Sequence, residues 1–221
     1  MEIQIIEKTD FTMQLTIRGI KAPFANTLRR IMLSEVPAMA IEDVVIIENS
    51  SVLADEILAN RLGFIPLKTD LDSYNLPEEC PCKSEFGCNL CRVALTLEAE
   101  ATDEVTAVYS GDLQSENPDI APVSGKILLV KLAPDQKIKL EAYARLGKGK
   151  VHAKWQPVST CAYEFAPETE TSNERGDAFI FNIESTGALP VERILLEAVH
   201  ILDRRFEAFS KQLKEIKNET G

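Results

Sequence analysis

The sequence predicts an α+β protein, and three patterns in it support this fold class. Apolar and polar residues alternate with the period of β-strands in the first 20 residues and again at intervals through the middle of the chain. One short amphipathic stretch near the N-terminus and one long stretch at the C-terminus have helical periodicity instead. With 221 residues, the chain can form one large domain or two small ones.

The predicted elements follow one another in a clear order. Two strands lie at residues 3–5 and 11–17, with a turn at Thr9 and Asp10. A helix runs from Pro23 to about Glu35, because a proline in the first turn has no N–H that needs a partner. The later elements are a strand at Met39–Glu48, a helix at Leu53–Arg61, and strands at Val93–Ala99, Val105–Ser110, Ile127–Leu132, Ile138–Ala144, Ser159–Phe165 and Phe179–Ile183.

The last predicted element is a helix from Pro190 to about Lys217 with an apolar stripe along its whole length. A core helix with a frayed tail would explain part of this stripe. A helix that pairs with a partner explains all of it, because a domain of this size cannot cover so long an apolar face, and we favour this interpretation. The stripe consists of Val191, Ile194, Leu195, Ala198, Ile201, Leu202, Phe206, Phe209, Leu213 and Ile216.

Four of the five cysteines form a short C-x-C and C-x₂-C cluster: Cys80, Cys82, Cys88 and Cys91. Four thiolates at this spacing can converge on one tetrahedral Zn²⁺, whereas a disulfide within the C-x-C pair would close a strained ring. Zinc is the leading prediction, and an Fe–S cluster on the same thiolates is the alternative. Unpaired thiols in a surface loop are the third and weakest interpretation.

The composition excludes several classes of function. The net charge of −11 argues against a broad phosphate-binding face, since nucleic-acid affinity depends on lysines and arginines. Basic residues cluster only locally, at Arg29 and Arg30 and at Arg145, Lys148, Lys150 and Lys154. No membrane-spanning run and no signal-peptide pattern are found, so we expect a cytoplasmic protein without a membrane partner.

No catalytic arrangement emerges from the sequence. Only His152 and His200 are present, and the phosphate-loop, nucleotide-binding, serine-hydrolase and zinc-protease motifs are all missing. We therefore expect no active site in the chain itself. Two alternatives to a scaffold protein remain at this point: a free-standing zinc module that binds nucleic acid or another partner, and a redox protein that uses its cysteines. The acidic balance opposes nucleic-acid binding, and a closed four-cysteine site opposes redox chemistry.

Several segments, in the same order along the chain, resemble the RNA polymerase alpha-like family, and they are most similar to its archaeal members. The family also includes the bacterial alpha subunit and the third-largest subunit of eukaryotic RNA polymerase II. The resemblance covers nearly the whole chain. It rests on residues 25–37, 40–44, 52–67, 93–97, 151–157 and 181–187, on the cysteine loop and on the long last helix.

The resemblance implies two domains and a set of partners. Residues 1–39 and 169–221 would form a discontinuous dimerisation domain, and 40–168 an inserted, mostly β domain that carries the metal loop. The small alpha-like subunit L would be the dimer partner, and the dimer would be the platform for the two largest, catalytic subunits. Small subunits N and P would join the same platform, and DNA would be reached only through the complex, which as a whole is a nucleotidyltransferase.

The same resemblance implies which residues lie at subunit interfaces and what the metal does. One structural zinc is expected, although five residues separate the cysteine pairs here and the eukaryotic relatives have three. The connector 168–176 contains no cysteine, so the ferredoxin-like Fe–S domain of some archaeal relatives is expected to be absent. On residues alone, Arg29 and Arg30 would be surface charge and Trp155 a core residue. The implied interface residues are Phe24, Leu28, Arg29, Arg30, Ile31, His152, Lys154, Trp155, Ile194, Ala198, Ile201, Leu202, Phe206, Phe209 and Leu213.

Overall fold

A computed structural model describes residues 1–167 and 177–219, with side chains up to residue 216. In these residues the chain forms three α-helices and ten β-strands. The helices are α1 (Ala22–Ser34), α2 (Asp55–Gly63) and α3 (Val191–Glu219). The strands are β1 (Glu2–Lys8), β2 (Thr12–Arg18), β3 (Pro37–Asn49), β4 (Val93–Glu100), β5 (Thr106–Tyr109), β6 (Gln114–Ser115), β7 (Leu128–Leu132), β8 (Lys137–Lys148), β9 (Val158–Phe165) and β10 (Ala178–Ser185).

The chain divides into two compact units, and the first is built from three separate stretches of sequence. It comprises Met1–Val36, Pro157–Thr186 and Pro190–Gly221. Its antiparallel sheet has the strand order β1-β2-β10-β9. Alternation places the apolar residues of β2 and β10 on one face, where Leu15 lies opposite Phe181. Helices α1 and α3 contact this sheet and each other.

The second unit comprises Pro37–Gln156 and Gly187–Leu189. Its main antiparallel sheet has the order β3-β8-β4-β6, and β5 pairs separately with β7. Helix α2 buries Leu58 and Leu62 in a core that β4 and β8 also line. Since α2 ends at Gly63 and β4 begins at Val93, the cysteine cluster lies in the long segment between them.

The division differs from the expected domain limits mainly at one element, and by a few residues at 37–39 and 187–189, which belong to the second unit. The sequence-based limit placed residues 158–165 in the inserted domain, because they precede the polar connector. In the structure these residues form β9, which pairs with β10 from Phe165 opposite Phe179 to Val158 opposite Ser185. Strand pairing therefore assigns β9 to the first unit, and the second unit's main stretch ends at Gln156.

The predicted α+β class is confirmed, and each predicted helix and strand has a counterpart. The largest difference is in β8, which continues past Ala144 to Lys148 because its last residues pair with the start of β3. The connector 168–176, on which the Fe–S expectation rests, lies outside the described residues. In the described part of the chain, no helix is both long enough and apolar enough to span a membrane.

Candidate metal centre and interaction surfaces

The four clustered cysteines lie together at one point of the second unit. Their Sγ atoms are all within 4.8 Å of one another. The Sγ of Cys80 is 3.7 Å from that of Cys88, and the Sγ of Cys91 is 3.9 Å from those of both Cys82 and Cys88. A tetrahedral zinc with Zn–S bonds of about 2.3 Å requires S···S distances of about 3.8 Å. The donor set and its spacing therefore fit one tetrahedral metal ion.

Two tight turns bring the thiols to this position. The N–H of Cys91 donates to the carbonyl of Cys88 at 2.9 Å, and the N–H of Lys83 donates to the carbonyl of Cys80 at 3.4 Å. Gly87 has φ +76°, a conformation that glycine adopts without the cost that a Cβ brings. The five residues between the cysteine pairs thus fold back on themselves, so the extra length does not separate the pairs.

Backbone N–H groups point at several of the cysteine sulfurs. The N–H of Cys88 donates to the Sγ of Cys91 at 3.2 Å, and the N–H of Leu90 donates to the Sγ of Cys88 at 3.4 Å. The backbone hydrogen bond from Ser84 is the main cause that lowers the pKa of Cys82 to about 7. Burial raises the pKa of Cys91, so the thiolate, which is the form that binds metal, is favoured at Cys82 and not at every sulfur of the site.

The four ligands differ in their access to solvent. Cys80 and Cys91 are buried, Cys88 is half-buried and Cys82 is exposed. All four are free thiols, so the site is a set of donors and not a pair of disulfides. The fifth cysteine, Cys161, is buried in the first unit, where burial raises its pKa to about 11. Cys161 is therefore a packing residue and not a reactive thiol.

Helix α3 carries a continuous apolar stripe of which only the first half is covered. Ile194 and Ala198 are buried within the first unit, and Ile201 and Leu202 are half-buried. Arg205 then contacts Glu35 at the end of α1 at 3.0 Å. Beyond this ion pair the same face continues into exposed side chains: Phe206 is 61% exposed, Phe209 is 59% exposed, and Leu213 and Ile216 are at least half exposed.

Strand β1 exposes apolar residues in the same unit. Ile3 and Ile5 pair with Ile17 and Leu15 of β2, so they lie on the apolar face of the sheet. Both isoleucines are nevertheless exposed by more than half, whereas their neighbours on β2 are buried. The sequence predicted strand β1 but not the exposure of its apolar side chains. Alternation of apolar and polar residues does not show which strands of a sheet a helix covers.

The predicted interface residues on α1 fall into two groups. Leu28 and Ile31 are buried in the first unit, so they support the helix from inside. Phe24 and Arg30 are exposed. Arg29 is half-buried and its guanidinium donates to the Oδ1 of Asn26 at 3.0 Å. Of these five positions, Phe24 and Arg30 are the ones directly available to a partner.

The predicted interface residues between 148 and 155 also differ in how exposed they are. Trp155 is 4% exposed, and its indole N–H donates to the carbonyl of Arg145 at 3.2 Å. It packs on Gly147, where a Cβ would lie 2.3 Å from the ring. In this position the indole belongs to the core of the second unit and is not presented to a partner pocket. His152 is exposed, and the Lys154 ammonium is held by an ion pair with Glu42.

Glu42 is a residue that the sequence analysis missed. Its carboxylate accepts from the Arg145 guanidinium at 2.7 Å and forms a short ion pair with Lys154. Burial alone would raise the pKa of Glu42, but the hydrogen bonds from Lys154 and Arg145 outweigh it and lower that pKa. These partners are more than 100 positions away in the chain, so no local pattern points to the cluster.

Comparison with known proteins agrees with the architecture described above. A family model described as the RNA polymerase Rpb3/Rpb11 dimerisation domain matches residues 14–206. The proteins named DNA-directed RNA polymerase subunit Rpo3 of Archaeoglobus fulgidus and Pyrococcus furiosus are 35% and 34% identical to this chain. Those alignments cover 97% and 98% of the chain, and 98% of each relative.

A third relative has a higher identity over a shorter alignment. The Rpo3 subunit of Methanosphaera stadtmanae is 45% identical over 79% of this chain, and the alignment spans only 65% of the length of that relative. The family match, from residue 14 to residue 206, covers most of the chain and includes parts of both units. The resemblance found in the sequence is thus confirmed, and the chain belongs to the RNA polymerase Rpb3/Rpb11 dimerisation domain family.

Proposed function

We propose that this chain, an assembly subunit of an archaeal DNA-directed RNA polymerase, heterodimerises through its first unit with the small alpha-like subunit L. The dimer then serves as the platform on which the two largest, catalytic subunits are built. Small subunits N and P join the same platform in the cytoplasm, and the chain reaches DNA only through the complex. A free-standing zinc module is disfavoured for two reasons. The chain belongs to a family of dimerisation domains, and the exposed apolar face of α3 is not expected in an isolated metal-binding domain.

The observation that carries this proposal is the exposed half of the α3 stripe. Phe206, Phe209 and Leu213 lie on the helix face that Ile194 and Ala198 occupy about two to five turns earlier. A large apolar patch that is left open on a helix end is a typical protein interface, since burying it releases ordered water. The exposed Ile3 and Ile5 of β1 provide a second apolar surface on the same unit for the same partner.

The second unit would contribute rigid surfaces to the platform. We propose that its four cysteines hold one structural zinc ion, with Cys80 and Cys91 as the buried ligands and Cys82 as the exposed one. Four protein ligands leave no open coordination position for a substrate, which suits a structural role. Bound zinc would tie the turn at Cys80 to the turn at Cys88 across the segment before β4.

Arg30 and Phe24 are the best candidates on α1 for contact with the second-largest subunit. Both side chains are exposed on a helix whose other face is buried. An arginine at such a position can bind a carboxylate with two parallel hydrogen bonds. Arg29 supports this surface less directly, because its guanidinium is engaged by Asn26.

Co-expression with subunit L, followed by size-exclusion chromatography with light scattering, tests the proposed function. We expect a stable 1:1 complex whose mass equals the sum of the two chains. A monodisperse monomer that shows no association at micromolar concentration would refute the proposal. Metal analysis of the same sample separates the two metal hypotheses. One zinc per chain supports the structural zinc site, whereas iron in a brown protein would refute it and indicate an Fe–S cluster.

A further inference from the structure

We propose that Cys82 is the oxidation-sensitive ligand of the cysteine site, where a hydroperoxide attacks its exposed sulfur and Cys91 then closes a disulfide. The inference rests on the zinc site of the proposed function, because the reaction breaks the set of four thiolates that holds the ion. It goes beyond that function by assigning a modification site. The chain is the target of this oxidation and not a redox enzyme.

Cys82 lies in a stretch of the cysteine loop that is open to solvent. Every residue from Pro81 to Phe86 is exposed. Cys80 and Cys91, by contrast, are each 3% exposed, and Cys88 is half-buried. Because a dissolved oxidant must touch the sulfur that it oxidises, it reaches Cys82 before the other three ligands.

Cys91 is the thiol placed to complete a disulfide with Cys82. Their Sγ atoms are 3.9 Å apart, so they must approach by about 2 Å to reach the length of an S–S bond. Cys80 is a poor partner, because a disulfide within a C-x-C pair closes a strained ring. The Sγ of Cys88 is 3.7 Å from that of Cys80, so pairing Cys82 with Cys91 leaves the other two thiols as a close pair.

The turn at Cys82 is also the more strained turn of the site. Lys83, the next residue, has φ +48°, a left-handed conformation that costs free energy for a residue with a Cβ. The left-handed residue beside Cys88 is Gly87, which avoids that cost. The hydrogen bond that closes the turn at Cys82 is 3.4 Å long, against 2.9 Å for the turn at Cys88. Cys82 can therefore leave its position more easily than the ligands of the second turn.

The proposed oxidation consists of two displacements at sulfur. The Cys82 thiolate attacks one oxygen of the hydroperoxide, the O–O bond breaks, and the leaving oxygen takes up a proton, so that Cys82 becomes a sulfenic acid. The Cys91 thiolate then attacks the sulfur of Cys82, the S–O bond breaks, and the hydroxide leaves as water after protonation. Two thiolates thus lose two electrons to the peroxide, and two protons from solvent end in the alcohol and the water. Only Cys80 and Cys88 then remain as thiolate ligands.

Peptide mapping of the zinc-loaded chain after treatment with hydrogen peroxide tests this proposal. Trypsin cleaves after Lys83 and Arg92, so it places Cys82 and Cys91 on different peptides. An equimolar amount of peroxide should join these two peptides, and fragmentation by mass spectrometry locates the disulfide. A coloured chelator should detect zinc in solution at the rate at which the disulfide forms. Release of zinc without a disulfide, or a first disulfide between any other pair of cysteines, would overturn the proposal.

Matched variants identify the sulfur that reacts first. Cys82→Ser should consume peroxide about tenfold more slowly than Cys80→Ser, which also lacks one ligand but keeps the exposed thiol. In Cys91→Ser the sulfenic acid should persist at Cys82, where a cyclic 1,3-diketone traps it as a thioether with loss of water. Cys161, which is buried in the first unit, should stay reduced in every sample. Equal rates for the first two variants, or a diketone adduct on Cys88 in place of Cys82, would refute the assignment.

Metal analysis of the untreated chain keeps this proposal distinct from the proposed function. A chain that contains no zinc while its thiols are reduced would refute the zinc site. The peptide map of that metal-free chain would still decide whether Cys82 and Cys91 form the first disulfide. A zinc-loaded chain that retains both its ion and its thiols in equimolar peroxide would refute the oxidation-sensitive ligand and leave the structural zinc site standing.

Discussion

Replacing Phe209 by serine tests the proposed partner interface at its most exposed part. Phe209 is 59% exposed on the open half of the α3 stripe, so its ring contributes little to the stability of the isolated chain. Phenylalanine and serine have similar helix propensities, so the substitution should leave α3 intact. Whatever the ring contributes should therefore be found in the free energy of binding to subunit L.

The size of the effect follows from the exposed area of the side chain. A buried aromatic side chain removes about 150–250 Å² from water, so the exposed part of Phe209 corresponds to roughly 90–150 Å². At about 25 cal/mol per Å², covering that area stabilises the complex by about 2–4 kcal/mol. Loss of about 2 kcal/mol raises Kd by about 30-fold, which is the smallest increase we expect.

Isothermal titration calorimetry with subunit L measures this increase, and thermal unfolding of the isolated variant checks that its fold is retained. Glu207→Ser is the matched control, since Glu207 is an exposed residue of the same helix on the face opposite to the stripe. An unchanged Kd for Phe209→Ser would refute the assignment of the stripe to the interface. An equal loss of affinity for Glu207→Ser would show that helix stability, and not the apolar face, is being measured.

Three further predictions concern the second unit. Glu42→Gln should lower the free energy of unfolding by about 1–2 kcal/mol at pH 7. Because the folded-state pKa of Glu42 is lowered, this stabilisation is present above its unfolded pKa of about 4.3 and is lost as the pH falls through the folded value. The difference in urea stability between the two proteins should therefore shrink as the pH is lowered through the acid range. Gly147→Ala should cost about 1–3 kcal/mol in the same assay, since its Cβ would meet the Trp155 indole at 2.3 Å; Gly63→Ala, whose nearest neighbour is at 3.7 Å, is the control. Cys88→Ser should lower zinc affinity at least about 100-fold in a chelator competition, while subunit L still binds.

Each of these predictions has an outcome that contradicts it. A difference between wild type and Glu42→Gln that stays constant as the pH is lowered through the acid range would show that the carboxylate charge is not the cause. Equal stability of Gly147→Ala and Gly63→Ala would mean that Trp155 moves aside at no cost. A Cys88→Ser protein that retains zinc with unchanged affinity would exclude Cys88 as a ligand.

The metal centre and the long helix could be predicted because both depend on neighbouring positions in the sequence. The C-x-C and C-x₂-C pairs lie within a dozen residues, so the chain itself keeps the thiols close together. The α3 stripe is visible as a period, but the point at which its burial stops is not. That point depends on where α1 ends and Glu35 meets Arg205, which is a tertiary contact.

Trp155 and Phe64 show the limits of local sequence patterns. On residues alone Trp155 is a core residue, whereas the family resemblance implies an interface position. The structure places it in the core, because Gly147 on β8 leaves space for its ring. Phe64 follows α2, and no sequence pattern indicated its exposure. Because α2 ends at Gly63, the Phe64 side chain turns outward. The exposure of both side chains is thus set by tertiary structure and not by the local pattern.

The separation of the two units bears on what the metal can do. The cysteines belong to the second unit, whose core around Leu95 and Leu140 is distinct from the apolar layer of Phe179 and Phe181 in the first. Metal binding stabilises the part of the fold that holds its ligands. Bound zinc should therefore raise the stability of the segment before β4 and of the second unit. The α3 helix packs on α1, β2 and β10 of the first unit. We therefore expect equal affinity for subunit L with and without zinc, and a zinc-dependent affinity would indicate a coupling between the two units.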